Sequence, residues 1–405
     1  MTRSGMDEHV HPGEPKLPRR DWILLPILGI LTMLVLAASV EGIAIGMFPQ
    51  LGVGPAGEDC MVFSDPATGS RGIPNCKIWE KIPEGELTQY RFNGDGFRAD
   101  EEFGPKTPGT YRIVMLGESV ALGMRVPREK TFGALIPQEL SQETGRKVEL
   151  FNESFPFTKP EAVAQHFNRA LKFDPDMVLW AINSTDVHWH AGWDGRILSF
   201  SDGKDSFLVR AMRRVKGAFA TQSPMDVARY LFRHTRTATM LQHFIYSSPS
   251  QTVRAALATG SDEYTSDQTL KMKEALKAFD QSVARVAAQA KSAVVPLVVV
   301  MLPNHAEAAM ISMDDLPPGV DPYRLDQDAR AIVTSHGGIY LDIFPDARAH
   351  PDLVRGYFNA EGHPNPLGHA IFAEMITHEL TSGAVPALQV NAHARSQMEL
   401  RSAGR

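Results

Sequence analysis

Residues 111–119 read Tyr-Arg-Ile-Val-Met-Leu-Gly-Glu-Ser, a short β-branched apolar run that ends on a Gly-x-Ser turn. A run of that length closed by glycine has the signature of a buried strand rather than a helix. The rhythm repeats outward from it. A helical stretch over 132–144 is followed by a strand at 147–151, a helix opened by Pro160 that runs to 173, and a buried strand at 177–182 (MVLWAI). Farther on, an amphipathic helix over 267–292 leads into the continuous apolar strand 296–302 (PLVVVML). A helix over 323–335 precedes 339–344 (IYLDIF), and 366–380 closes the pattern as a helix. Strands alternating with helices predict right-handed βαβ units. The expected fold class is α/β: a three-layer α/β/α sandwich with a mostly parallel five-stranded sheet. Ligands of such sheets sit at the carboxyl ends of the strands.

The chain has 405 residues, 43% of them hydrophobic and 22% charged, with a formal net charge of −6. That composition excludes a disordered or collagenous chain and gives no basic footprint for nucleic acid. Two cysteines exclude a Cys-rich zinc or iron–sulfur site. Residues 22–40 (WILLPILGILTMLVLAASV) carry no charge, and at about 1.5 Å per residue they span roughly 28 Å, close to the hydrocarbon core of a bilayer. Arg3, Lys16, Arg19 and Arg20 precede this run and the next basic residue is Arg71, so the positive-inside rule puts the N-terminus in the cytoplasm. The expectation is a single-pass membrane protein whose main domain is periplasmic or extracellular. A cleaved signal at Ala37-Ala38-Ser39 is the competing reading, against which the apolar run is longer than a signal core. Either way Cys60 and Cys76 meet an oxidising compartment. A disulfide between them would close a loop of about 15 residues, contributing on the order of 3 kcal/mol; two free thiols are the alternative.

The expected organisation is a cytoplasmic arm (1–21), the anchor (22–48), an irregular extracytoplasmic collar (49–110), the α/β domain (111–385) and a polar tail (386–405). Within the collar, Asn93-Gly94 and Asp95-Gly96 signal a hairpin or tight loop. Residues 188–266 break the alternation. They carry Trp189, Trp193, Phe207, Tyr230, Phe232, Phe244 and Tyr246 and a basic helix near 210–216. This helical insertion is either a lid or substrate platform or a block packed on the sheet.

Ser119 follows the first strand of the α/β region on a strand-to-helix turn. Such a turn lifts a hydroxyl to the sheet edge and offers backbone N–H groups to developing negative charge. At the other end stands Glu361-Gly-His363-Pro-Asn365-Pro-Leu-Gly-His369, a loop that runs into the last helix. His363 there faces the same edge and can serve as general base. Pro366 suits a first helical turn.

Arg112-Ile-Val-Met-Leu-Gly-Glu-Ser119, followed distantly by the HPNxxGH element, resembles the SGNH/GDSL hydrolase family over about residues 111–380. Residues 93–98 are similar to the lead-in of its membrane-anchored members. The resemblance implies Ser119 as nucleophile and His363 as base. It implies Glu361 as the third member, where the family carries Asp, or else a Ser119–His363 dyad. It also implies an oxyanion hole from the Ser119 N–H with Asn183 or Thr185, according to the register of Asp186. The family's second-strand glycine is missing from residues 151–157 (FNESFPF), and Glu118 replaces the aspartate of the GDS turn. Gly117, Glu118, Asp186 and Asn365 support the site, and His369 is structural. No metal and no cofactor is required. The implied activity is that of a membrane-tethered serine esterase cleaving acyl or acetyl esters of glycans or lipids. The alternatives are an O-acyltransferase acting on exported polysaccharide with a multispanning partner, and a decayed glycan-binding module. An α/β-hydrolase elbow at 117–121, a metal site at His188-Trp189-His190 and a nucleotide-binding loop each lack their required context.

Overall fold

Short polar-faced segments ahead of the α/β region make strands that their composition conceals. In the computed structural model, which describes residues 18, 20–50, 57–65, 69–156, 158, 160–188, 235–258 and 262–390, two antiparallel hairpins form there. They are β1 (Met61–Asp65) with β2 (Gly69–Gly72), and β3 (Lys77–Lys81) with β4 (Leu87–Arg91). The collar expected to be irregular over 49–110 therefore contains two regular hairpins. In β4, Thr88 and Tyr90 point inward between exposed Leu87 and Arg91, and in β3 the single fully buried residue is Glu80. A buried charge opposite an exposed Trp79 hides the period of two on which strand recognition depends. The chain then turns through Asn93, whose side-chain oxygen accepts from the N–H groups of Asp95 and Phe97.

The main sheet is built from β5 (Tyr111–Gly117), β6 (Val148–Asn152), β7 (Met177–Asn183), β8 (Leu297–Leu302) and β9 (Ile339–Leu341), in the order β6-β5-β7-β8-β9. Every pairing in it is parallel. All residues of β5, β7 and β8 are buried, as continuous apolar runs covered on both faces must be. Helices Phe132–Thr144 and Pro366–Glu379 pack together, and Leu270–Ala293 packs with Pro160–Ala170 and Arg324–Ser335. Trp180 of β7 meets Phe279 of the long helix with ring centroids 5.8 Å apart. The architecture is the five-stranded α/β fold that the SGNH/GDSL resemblance implies. β9 is shorter than the apolar run 339–344, because Phe344 and Pro345 open the helix Phe344–Ala349, with proline in its first turn.

Apart from the sheet, α1 (Asp21–Met47) is one helix long and apolar enough to cross a membrane, with Ala44 its one buried residue. Of the insertion, helices Arg236–Ile245 and Pro249–Ala258 are described. Val253 and Tyr264 pack with Ala309 and Met310, so this part is a block against the domain. Trp189, Trp193, Phe207, Tyr230, Phe232, His190 and the basic stretch 210–216 lie outside the described residues, as does 391–405 of the tail. Residues 386–390 are tied down: Leu388 is buried and the Val390 N–H donates to the Thr381 carbonyl.

Cys60 and Cys76 are joined by a disulfide at a sequence separation of 16. Cys60 is buried in a cluster with Tyr90, Phe92 and Phe97. Replacing both cysteines by serine is expected to cost about 3 kcal/mol, from the freedom returned to the unfolded chain. Thermal melts of the purified full chain check it, with the oxidised wild type melting higher than both the variant and the reduced wild type.

Candidate active site

The site forms where β5 ends. Gly117 has φ +158°, and a Cβ there would come within 2.5 Å of both the Ala181 carbonyl and the Ala121 methyl. Only glycine lets the chain turn so tightly against β7 and start the short helix α2 (Ser119–Leu122). Ser119 is its first residue, and no described residue accepts from its backbone N–H.

The opposing loop is built by its own motif. Asn365 caps the last helix: its Oδ1 accepts from the N–H groups of Leu367 and Gly368 at 2.9 and 3.2 Å, while its Nδ2 donates to the carbonyls of Arg355 and Tyr357. Gly368 is needed because a Cβ there would lie 2.0 Å from the Gly356 carbonyl oxygen. Gly362, at φ +89°, closes the turn whose N–H donates to the Phe358 carbonyl. His369 is buried against Phe132 and its Nδ1 accepts from the Phe132 N–H, a structural position in which burial pushes its pKa down to about 3. This loop delivers His363.

His363 Nε2 lies 2.9 Å from Ser119 Oγ, and its Nδ1 lies 2.8 Å from Glu361 Oε2. Glu361 also accepts from the His363 N–H at 3.0 Å. Burial by itself raises the Glu361 pKa; the His363 ring and the Arg125 guanidinium outweigh it and hold the carboxyl well below the usual range. Arg125 donates from Nε to Glu361 Oε1 at 3.0 Å and from Nη1 to Glu80 Oε1 at 2.8 Å. Its backbone sits at φ +69°, where its N–H donates to the Tyr90 hydroxyl at 2.7 Å. From the β3–β4 turn, Glu84 accepts from the N–H groups of Ala360 and Glu361 and from His243 Nδ1, the last at 2.6 Å. Nothing in the sequence singles out Arg125, Glu80, Glu84 or His243; their one local signal is that Glu80 is inward-facing, and that needs the hairpin register to be seen.

Glu118 and Asp186 form a buried, interacting carboxyl pair beside Ser119. Burial, and then Asp186, drives the Glu118 pKa well up; burial pushes Asp186 up to about 7. Asp186 Oδ2 also accepts from the Asn183 N–H at 2.7 Å, so the pair fastens the end of β7 to the serine turn.

Of the two candidate oxyanion side chains, Thr185 has both its N–H and its hydroxyl donating to Asn183 Oδ1 in this structure. The same contacts turn the Asn183 amide so that no described residue accepts from its Nδ2. After β6, the N–H groups of Glu153 and Phe155 donate to the Met115 and Gly117 carbonyls, and that of Ser154 to Asn152 Oδ1. The missing glycine is thus matched by a loop zipped onto β5. The short helix Ser184–His188 follows β7, and the side chains of His188, Trp189 and His190 lie outside the described residues.

No family model and no curated protein matches the chain. Among solved structures it is similar to TesA (12% identity, 66% of this chain and 97% of that one, TM-score 0.35). It is also similar to the lipase/acylhydrolase from Enterococcus faecalis (11% identity, 67% and 95%, TM-score 0.36). A mutant acetyl-xylooligosaccharide esterase from Geobacillus matches at 11% identity over 70% of this chain and 99% of that one, with a TM-score of 0.37. Each likeness is distant; the chemistry of the site rests on its own side chains.

Two outcomes test this wiring. Arg125→Met strands Glu80 in the interior and should cost about 3–5 kcal/mol, whereas Arg125→Met with Glu80→Leu should recover most of it, read by denaturant melts. For the acid pair, the unfolded chain releases both protons near pH 4, while folded Asp186 keeps its proton to about 7. The folded state therefore binds more protons in that window, so stability is greatest below it and falls as pH rises through it. Glu118→Gln should make the fall in Tm between pH 5 and 8 shallower than in wild type; an unchanged slope would count against the shared proton.

Proposed function

We propose that the protein is a membrane-tethered, extracytoplasmic serine esterase. The observation that carries this reading is the continuous relay from Ser119 Oγ through His363 to Glu361, with hydrogen-bond distances of 2.9 and 2.8 Å. A hydroxyl, an imidazole and an ionised carboxylate in that order are what acyl transfer needs. His363 Nε2 takes the Ser119 proton as Oγ attacks the ester carbonyl carbon. Glu361, kept ionised by Arg125, steadies the ring and the imidazolium that forms. The carbonyl oxygen becomes an oxyanion, to which the Ser119 N–H and the Asn183 amide donate. The tetrahedral adduct collapses as the imidazolium protonates the leaving alkoxide, leaving an acyl-Ser119. Water, deprotonated by His363, then attacks the acyl carbon and the proton returns to Ser119. An intact relay weighs against a decayed binding module.

The apolar α1 supports a tether, and the Cys60–Cys76 bond supports an oxidising compartment, where acylated glycans and lipids are the esters on offer. In an aryl-ester assay, Ser119→Ala and His363→Ala should each lose about 10⁴-fold or more in kcat. Asn183→Ala should lose about 10²–10³-fold. Equal turnover by wild type and the first two variants would sink the assignment.

A further inference from the structure

The helix Arg236–Ile245 is fastened to the outer end of α1. Glu41 accepts from the N–H groups of Arg236 and Thr237 at 2.7 and 2.8 Å and from the Thr237 hydroxyl, so a carboxylate satisfies donors at the start of this helix. Arg236 also donates to Gln50, and at the far end the His243 ring lies 5.1 Å from that of Phe48. The helix therefore accompanies the segment 41–50. At about 1.5 Å per residue, Glu41 to Met47 rises on the order of 10 Å, comparable to one headgroup layer beyond the hydrocarbon core. Along that layer α1 keeps exposing apolar side chains: Ile43, Ile45 and Met47 are 61%, 54% and 52% exposed.

The companion helix carries a matching stripe. Leu241, Phe244 and Ile245, at positions i, i+3 and i+4, are 44%, 57% and 47% exposed. These residues share one helix face. We propose that this face is a second membrane contact, seated in the headgroup layer of the outer leaflet beside the emerging anchor. Continuity with the span selects lipid as the occupant, since the stripe extends an apolar surface that already enters the bilayer. The proposal rests on reading α1 as a membrane span and adds to it the orientation of the site. His243 of the same helix bonds Glu84, which holds the backbone of Ala360 and Glu361, and Asn359 donates to the His243 carbonyl at 3.1 Å. A helix seated in lipid thus keeps the histidine loop at the bilayer surface, and selects esters carried on that surface over those free in solution.

Both native cysteines are in the disulfide, so an introduced cysteine is the one free thiol. The full chain with Phe244→Cys, Leu241→Cys, Leu34→Cys or Val294→Cys would carry an environment-sensitive fluorophore in phosphatidylcholine vesicles. Half of the vesicles would contain lipid brominated near the headgroup end of its acyl chains. Val294 is 88% exposed just before β8, at the edge of the sheet away from the histidine loop. The expected result is a bromine-dependent loss of emission at 241 and 244 comparable to that at 34, with none at 294. Quenching at 34 without quenching at either 241 or 244 would overturn the lipid contact and leave the tether standing. A blue-shifted but unquenched probe at 244 would also overturn it, because protein rather than lipid would then cover the face. No quenching at 34 would remove the tether, and the proposal with it.

Discussion

A carboxylate two residues before His363 cannot fix that imidazole unless it is itself held, and Arg125 does the holding. Its guanidinium joins Glu361 of the terminal loop to Glu80 of the β3–β4 hairpin, elements separated in sequence by more than half the chain. A planar fork with several donors can bond two carboxylates at once, which an ammonium on a flexible stem does less well. The fork is aimed by a left-handed backbone that Tyr90 secures. The hairpin ahead of the α/β domain is therefore part of the framework of the candidate site, and its glutamates bear on the same loop from two sides.

Both departures from the GDS-and-Asp pattern put a longer acid where a shorter one is usual, and in both places the added reach is used. Glu361 accepts from the His363 ring and from the His363 backbone while meeting Arg125. Glu118 reaches Asp186 in the interior, and a shared proton lets two acids lie side by side without two charges. That contact ties the turn bearing Ser119 to the turn bearing Asn183, the two pieces that the proposed mechanism needs at a fixed separation around an oxyanion. Preorganisation of this kind is the larger part of what an acyl-transfer site supplies.

How much of this was legible varied with the range of the interaction. The strands at 111, 177 and 297 were readable because parallel strands covered on both faces are unbroken apolar runs. The serine turn and the Asn365 cap were readable because glycine, proline and asparagine at those positions answer local backbone demands. The collar hairpins are not legible in the sequence because Glu80 and Trp79 sit on the faces opposite to those their polarity suggests. Between Asn183 and Thr185 the difference lies in which side-chain donor is already committed, the Thr185 hydroxyl being so and the Asn183 amide not, a fact that no spacing encodes.

The linear order of residues, then, determined an α/β chain with one apolar N-terminal helix, a serine after the first strand of its sheet and a histidine before its last helix, since secondary structure and caps arise from neighbours within a turn or two. The tertiary structure alone decided that Glu361 is braced by Arg125, that Asn183 rather than Thr185 keeps a free donor, and that Glu84 links the histidine loop to the helix beside α1. Those outcomes depend on ion pairs and hydrogen bonds between segments tens to hundreds of residues apart, whose partners are chosen by packing in three dimensions.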